Sequence, residues 1–251
     1  MSFYPFVPEE PFCNPGKSKF VSCGKLHFSC LAIRTPVIDC DTAPDEVFEM
    51  YVLPWVRPGD VVFCSEKMIA CAQGRAIPLD TIHPGFTARI LSRYVTRSPY
   101  GIGLAMPETM QCALDECGYV RILIAAVIGA IGKWLGQKGW FYRVAGPKAA
   151  AIDGPCSYTL PPYNRYVIPG PADPAGTVRR LSETLGGNLV LLLDANDLGC
   201  RILAASTRTD CRFWETLLSQ NPLGQSRQCT PVGILRPINP DTRSSAEPGI
   251  L

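Results

Sequence analysis

The sequence predicts a mixed α+β fold, not the doubly wound Rossmann kind. Three observations point there. Two apolar runs, Val61–Cys64 and Leu189–Leu193, have the length and β-branched or leucine-rich composition of buried strands. Several other stretches carry helical spacing and helix-end signals. Strands and helices nevertheless alternate without a strict βαβ rhythm.

The elements follow in order. Residues 1–30 are rich in Pro, Gly and Cys and show no sustained period, which predicts an irregular N-terminal arm. Ala32–Ile38 is a short β-prone run. Thr42–Val56 reads as a helix capped by Thr42, with Asp45 and Glu46 in its first turn and Val47, Phe48, Tyr51 and Val52 on one face. Arg57-Pro58-Gly59-Asp60 is a turn leading into the strand Val61–Cys64. Met68–Cys71 is a second β-prone piece, followed by the turn Gln73-Gly74-Arg75. Pro84–Val95 and Pro107–Cys117 are predicted helices, the second closed by Gly118. Arg121–Gly132 suits a buried helix or a strand, with length favouring the helix. Phe141–Ala145 is a strand candidate, and the proline-rich segment 154–176 reads as a long ordered loop or lid. Thr177–Leu185 is a helix. Strands are expected at Leu189–Leu193, Ile202–Ala205 and Val232–Leu235, with a turn at Asn221–Gln225. The organisation read from this is an arm (1–30), one domain (31–237), which the resemblance given below makes a catalytic one, and a polar tail (238–251).

Composition excludes several classes. A hydrophobic content of 47% with 18% charged residues belongs to a packed globule. The net charge of +2 comes from scattered Lys and Arg, with no dense basic block for nucleic acid or a membrane surface. The N-terminus lacks the basic start and apolar run of a secretory signal. The longest apolar stretch, Ile122–Ile131, is half of the roughly 20 residues a spanning helix needs. A cytoplasmic location is expected. Twelve cysteines without close C-x2-C pairs, and with only His27 and His83 beside them, do not suit zinc. Buried thiols acting as small hydrophobes are the expectation.

The chemistry-bearing residues sit at strand ends. Asp194, Asn196 and Asp197 place three oxygen donors just after the strand Leu189–Leu193, and Gly199 relaxes the backbone around them. Oxygen donors of this kind suit Mg2+ or Mn2+. An Asx-turn in a solvated loop would use the same residues. Asp153 also ends an apolar run and precedes Gly-Pro. Ser65-Glu66-Lys67 is a third strand end, with Lys67 able to neutralise phosphate, and Asn221–Gln225 has the Gly-bearing turn composition that brings backbone N–H groups to an anion. P-loop, dinucleotide-binding and nucleophile-elbow motifs are absent from the chain.

In order and composition these segments resemble the coenzyme F420-0:L-glutamate ligase (gamma-glutamyl ligase) family across roughly Ile33–Pro237. The resemblance rests on Arg57–Val62 running into Ser65-Glu66-Lys67 and Ala72-Gln73-Gly74-Arg75, then Ala151-Ile152-Asp153-Gly154 and Asn196-Asp197-Leu198-Gly199. It closes with Leu223-Gly224-Gln225 before Thr230–Arg236. It implies a homodimeric gamma-glutamyl-ligase-like fold that uses GTP, or ATP, with Mg2+ or Mn2+. The implied reaction joins L-glutamate to a small-molecule acceptor carboxylate through an acyl phosphate. Asp153, Asn196 and Asp197 are then the implied metal residues. Glu66, Lys67, Gly224 and Gln225 are the implied nucleotide contacts, and Asp194 is a candidate base. Neither nucleic acid nor a membrane is an implied partner. The alternatives are the same chemistry on a folate or other cofactor, as in folylpolyglutamate synthase, or a homologue that binds nucleotide or metal without catalysis. Cys71 replaces a lysine common in the family, Cys156 replaces an asparagine, and Asn196-Asp197 replace an Asp-Thr pair, unless the register slips so that Asp194 takes the first place.

Overall fold

The structure is a computed structural model that describes residues 9–95, 103–137, 139–157, 159–196, 199–224 and 227–238. In chain order the elements are β1 (Phe20–Cys23), β2 (Leu26–Ile33), α1 (Pro44–Tyr51), β3 (Val61–Ser65), α2 (Glu66–Ala72), β4 (Ile77–Pro78), α3 (Phe86–Tyr94), α4 (Pro107–Cys117) and α5 (Tyr119–Trp134). There follow α6 (Trp140–Ala145), α7 (Pro147–Ala150), β5 (Tyr166–Val167), α8 (Pro174–Thr184), β6 (Leu189–Asn196), β7 (Gly199–Ala205), α9 (Cys211–Leu217) and β8 (Val232–Pro237). The fold is mixed α+β. Its contacts group into two compact units, residues 1–73 with 172–251, and residues 74–171.

The first unit is built on a mixed sheet of order β1-β2-β8-β3-β6-β7, in which β3 and β6 are parallel and the other pairings antiparallel. Both faces of its centre are covered, which is why the β3 and β6 sequences are continuously apolar instead of alternating. Val62, Cys64, Val190 and Leu192 face a layer made by α1, α2 and α8. Val61, Phe63, Leu191 and Leu193 face the opposite side, with Trp214 and Leu217 of α9. The strand period of two assigns alternate residues to the two layers.

Two connections tie this sheet together. Asp60 is buried, accepts from the Arg57 backbone N–H at 2.8 Å, and takes a two-pronged bond from Arg236 of β8, Nε at 3.0 Å and Nη2 at 2.7 Å. The same guanidinium donates to the Trp55 carbonyl. At the β6–β7 edge the register slips between Leu192 and Leu193, and the Ile202 N–H is taken up by the Glu215 carboxylate.

The second unit is mainly helical. Its core gathers Ala88, Leu104, Met110, Leu114, Ile122, Ala125 and Val167. The short pair β4–β5 and the bridge Asp153–Ile168 close its proline-rich segment.

Most elements lie where the sequence predicts them, and the differences have physical causes. The arm expected over 1–30 contains β1 and most of β2, which form a hairpin on the sheet. The β-prone run Ala32–Ile38 contributes only its first two residues to β2. Pro36 lacks an N–H, and Thr35 bonds instead to the Cys229 carbonyl. Met68–Cys71 is helical, because it follows Glu66 in one turn-forming register that buries Met68, Ile69 and Ala72 against the sheet. Phe141–Ala145 is also helix, packed along α5 where Gly129 and Gly132 admit Phe141 and Trp140. Thr42 caps nothing: α1 begins at Pro44, which needs no N–H partner there.

Candidate functional site

Two sequence-predicted segments meet where β3 and β6 end side by side in the first unit's sheet, and a third packs through Leu223 on the sheet's other face. Ser65 ends β3, and its N–H donates to the Pro231 carbonyl just before β8. Ser65 is also the parallel partner of Leu193. Asp194 therefore lies one residue beyond Ser65 on the neighbouring strand, level with the start of α2. Glu66 and Lys67 open α2, Glu66 half-buried and Lys67 exposed. Asp194 and Asn196 continue the face of β6 begun by Leu192, which is the face that α2 covers. Strand alternation thus puts both oxygen donors on the lysine's side of the sheet.

The third segment is the turn Asn221–Gly224. The Gly224 N–H donates to the Asn221 carbonyl at 3.1 Å, and Asn221 Nδ2 donates to the Gly224 carbonyl at 3.1 Å. A buried asparagine of the N-terminal arm holds this turn. Asn14 Nδ2 lies 2.9 Å from both the Pro222 carbonyl and Thr230 Oγ1, and Thr230 Oγ1 donates onward to the Leu223 carbonyl at 2.7 Å. Sequence reasoning missed Asn14 and Thr230. A buried asparagine looks like any turn asparagine until the partners of its Nδ2, more than two hundred residues away, are known.

The other predicted residues fall elsewhere. Asp153 belongs to the second unit, where its backbone exchanges hydrogen bonds with Ile168 at 2.9 Å in both directions. Asp197 and Gln225 lie outside the described residues. Asp194 is exposed and is the cross-strand partner of Arg201 on β7. Cys71 is a buried core residue of α2. Gly199 closes the hairpin with φ 154°, a conformation side-chain-bearing residues rarely adopt.

Asp194 and Asn196 are hard oxygen donors, suited in kind to Mg2+ or Mn2+ and not to zinc. A magnesium ion commonly takes one or two protein oxygens and completes its shell with waters and substrate phosphates. Among the described residues no group of three His, Cys, Asp or Glu side chains gathers into a ligand set. Any cation at this edge would depend on such shared coordination.

Burial holds several of the thiols in their protonated form. Burial, followed by the charges of Glu215 and Asp194, pushes the half-buried Cys200 up to about 12. Burial, then Cys13, does the same for Cys30, up to about 12, and burial then Asp115 raises Cys112 to about 11. Cys64, wholly buried, is raised further still by desolvation alone. Four of the twelve cysteines are buried as expected; Cys40 is exposed and the others lie between. A thiol raised in the folded state keeps its proton after the unfolded chain has lost it. Its contribution to stability is therefore whole below pH 9 and lost as pH climbs toward the folded value. Thermal unfolding midpoints should fall steadily between pH 9 and 11, and fall less in a Cys30→Ala, Cys200→Ala variant. Equal slopes for variant and parent would show that these thiols do not govern the alkaline limb.

Comparison with protein-family models finds no family that matches this chain, and comparison with curated proteins finds no match either.

Proposed function

We propose that the chain is a nucleotide- and divalent-cation-dependent ligase of the gamma-glutamyl type, with a gamma-glutamyl-ligase-like fold. One observation supports this reading: Glu66-Lys67 opens α2 where β3 ends, and Asp194 with Asn196 continues β6 beside it on the face that α2 covers. A site that transfers phosphate to a carboxylate must neutralise two anions as they meet. Lys67 would supply positive charge, and the family resemblance gives the Gly224-Gln225 segment its place beside the phosphates. Asn196 and Asp197 would hold the cation, which when bound spreads the charge of the transferring phosphoryl group.

The chemistry closes in two steps. An acceptor carboxylate oxygen bonds to the terminal phosphorus of GTP or ATP, and the nucleoside diphosphate leaves. The amine of L-glutamate then bonds to the acyl carbon, phosphate leaves, and an amide remains. The attacking ammonium must first lose a proton. Asp194, exposed just past the buried part of β6, is the base we assign to that step.

The test is to incubate the purified chain with GTP or ATP, Mg2+ or Mn2+, L-glutamate, and either the deazaflavin coenzyme precursor or a folate. Mass spectrometry should find acceptor carrying one added glutamate, with release of nucleoside diphosphate. Asn196→Ala combined with Asp197→Asn should lower turnover by about 10²-fold with an unchanged circular dichroism spectrum. Asp153→Asn tests separately the metal role that the family resemblance gives that residue. Cation-dependent nucleotide binding without turnover on any acceptor would leave the non-catalytic reading standing. Absence of both binding and turnover would sink the proposal.

A further inference from the structure

Helix α5 is apolar at nearly every position except Arg121 and Lys133, a pattern normally reserved for helices covered on most sides. One side is covered: Ile122, Ala125 and Gly132 are buried in the second unit. The opposite side is not. Val120, Leu123, Ile124, Val127, Ile131 and Trp134 recur at three- and four-residue steps, which is one continuous stripe along the helix. Val120 is 72% exposed, Val127 61% and Trp134 85%. A stripe of this size on a globular surface marks something that docks there.

The charges say what. Residues 117–152 contain no Asp or Glu but hold Arg121, Lys133, Lys138, Arg143 and Lys148. On helix α3 of the same unit, Phe86, Ile90 and Tyr94 form a second exposed stripe at four-residue steps, beside Arg89 and Arg93, and residues 81–107 are likewise free of acids. Residues 74–171 as a whole carry ten Lys and Arg against five Asp and Glu, a formal +5. The remainder carries fourteen against seventeen, a formal −3. A two-fold pairing of α5 with itself would set this basic segment against its own copy with no acid to compensate. The occupant must bring negative charge together with an apolar interior.

We infer that α5 is a docking element for an anionic lipid surface, lying in the plane of the membrane with its stripe immersed among the acyl chains. Its sixteen residues span roughly 24 Å, short of a bilayer crossing, which accords with an in-plane helix. Tyr119 and Trp134 stand at its two ends, where amphipathic rings settle at headgroup depth, and the flanking Lys and Arg meet lipid phosphates. No helix among the described residues is long and apolar enough to cross a membrane, so attachment is peripheral and reversible.

The test is co-sedimentation of the full chain with vesicles of phosphatidylcholine alone or with 30–40% phosphatidylglycerol (roughly the anionic content that gives a strong surface potential). Binding to the anionic vesicles should exceed binding to the neutral ones at least tenfold, and should weaken as salt is raised. Ile124→Glu with Val127→Glu should remove at least nine-tenths of it. Because both positions are exposed, the variant should retain its thermal midpoint; Arg121→Gln with Lys133→Gln is a second variant that leaves the stripe intact and should weaken binding severalfold. Equal binding by the glutamate variant, or no binding to anionic vesicles at low salt, overturns the inference. So does a dimer in sedimentation equilibrium that the glutamate variant dissociates while vesicles bind nothing, since the stripe would then be a subunit interface.

Discussion

Asp60→Ala is expected to destabilise the protein by about 3–5 kcal/mol, the cost of leaving one half of a buried ion pair alone. Asp60 is 2% exposed and its carboxylate accepts from the Arg57 N–H and from Nε and Nη2 of Arg236. Removing it orphans a backbone donor at the mouth of β3 and a guanidinium on β8 that is itself mostly covered. The hydrogen bond that Arg236 donates to Asp60 is the main reason the Arg236 pKa is raised, with burial opposing it. Asp60→Asn keeps the size and part of the bonding, so it should cost distinctly less. Urea unfolding of the three proteins measures this, and a loss below about 1 kcal/mol for the alanine variant would show that the clasp is not structural.

Gly233→Val should cost about 3 kcal/mol, at the upper end of what overpacking usually does. Gly233 is the cross-strand partner of Phe63, and the fully buried Phe63 ring lies directly over its Cα. A Cβ built there would sit 2.3 Å from the ring's Cζ and 2.9 Å from the Leu31 carbonyl oxygen. The ring has no exit, and the carbonyl belongs to the β2–β8 ladder. The pairing of a glycine with a covering aromatic is a device for keeping a glycine inside a strand. Gly233→Val with Phe63→Leu should recover part of the loss; no recovery would place the strain in the backbone contact alone. Chemical denaturation of the single and double variants measures both.

Much of the fold was legible because its signals are local. The runs Val61–Cys64 and Leu189–Leu193 announced doubly covered strands, since each residue on either face had to be apolar. Pro107 and Gly118 bounded α4 correctly, because Pro tolerates the first helical turn and Gly accepts the φ of 85° found at the end. Phe141–Ala145 and Met68–Cys71 misled for the converse reason. Short apolar pieces fit either period, and packing partners, not propensity, chose the helix.

What the sequence by itself determined is composition in order: oxygen donors after Leu193, the Glu66-Lys67 pair after Ser65, and a glycine-bearing segment at 221–225, each read beside an apolar run. Their composition is a property of the chain, and it needs no partner to be read. What only the tertiary structure decided is adjacency. The parallel register of Ser65 with Leu193, the Pro231 carbonyl on the Ser65 N–H, and Asn14 bracing the turn all join residues more than a hundred positions apart. Pairings of that kind arise from burial of both sheet faces at once, and no local pattern encodes them. The exposed stripe of α5 belongs with them, because an apolar helix looks the same in sequence whether it is covered on one side or on every side.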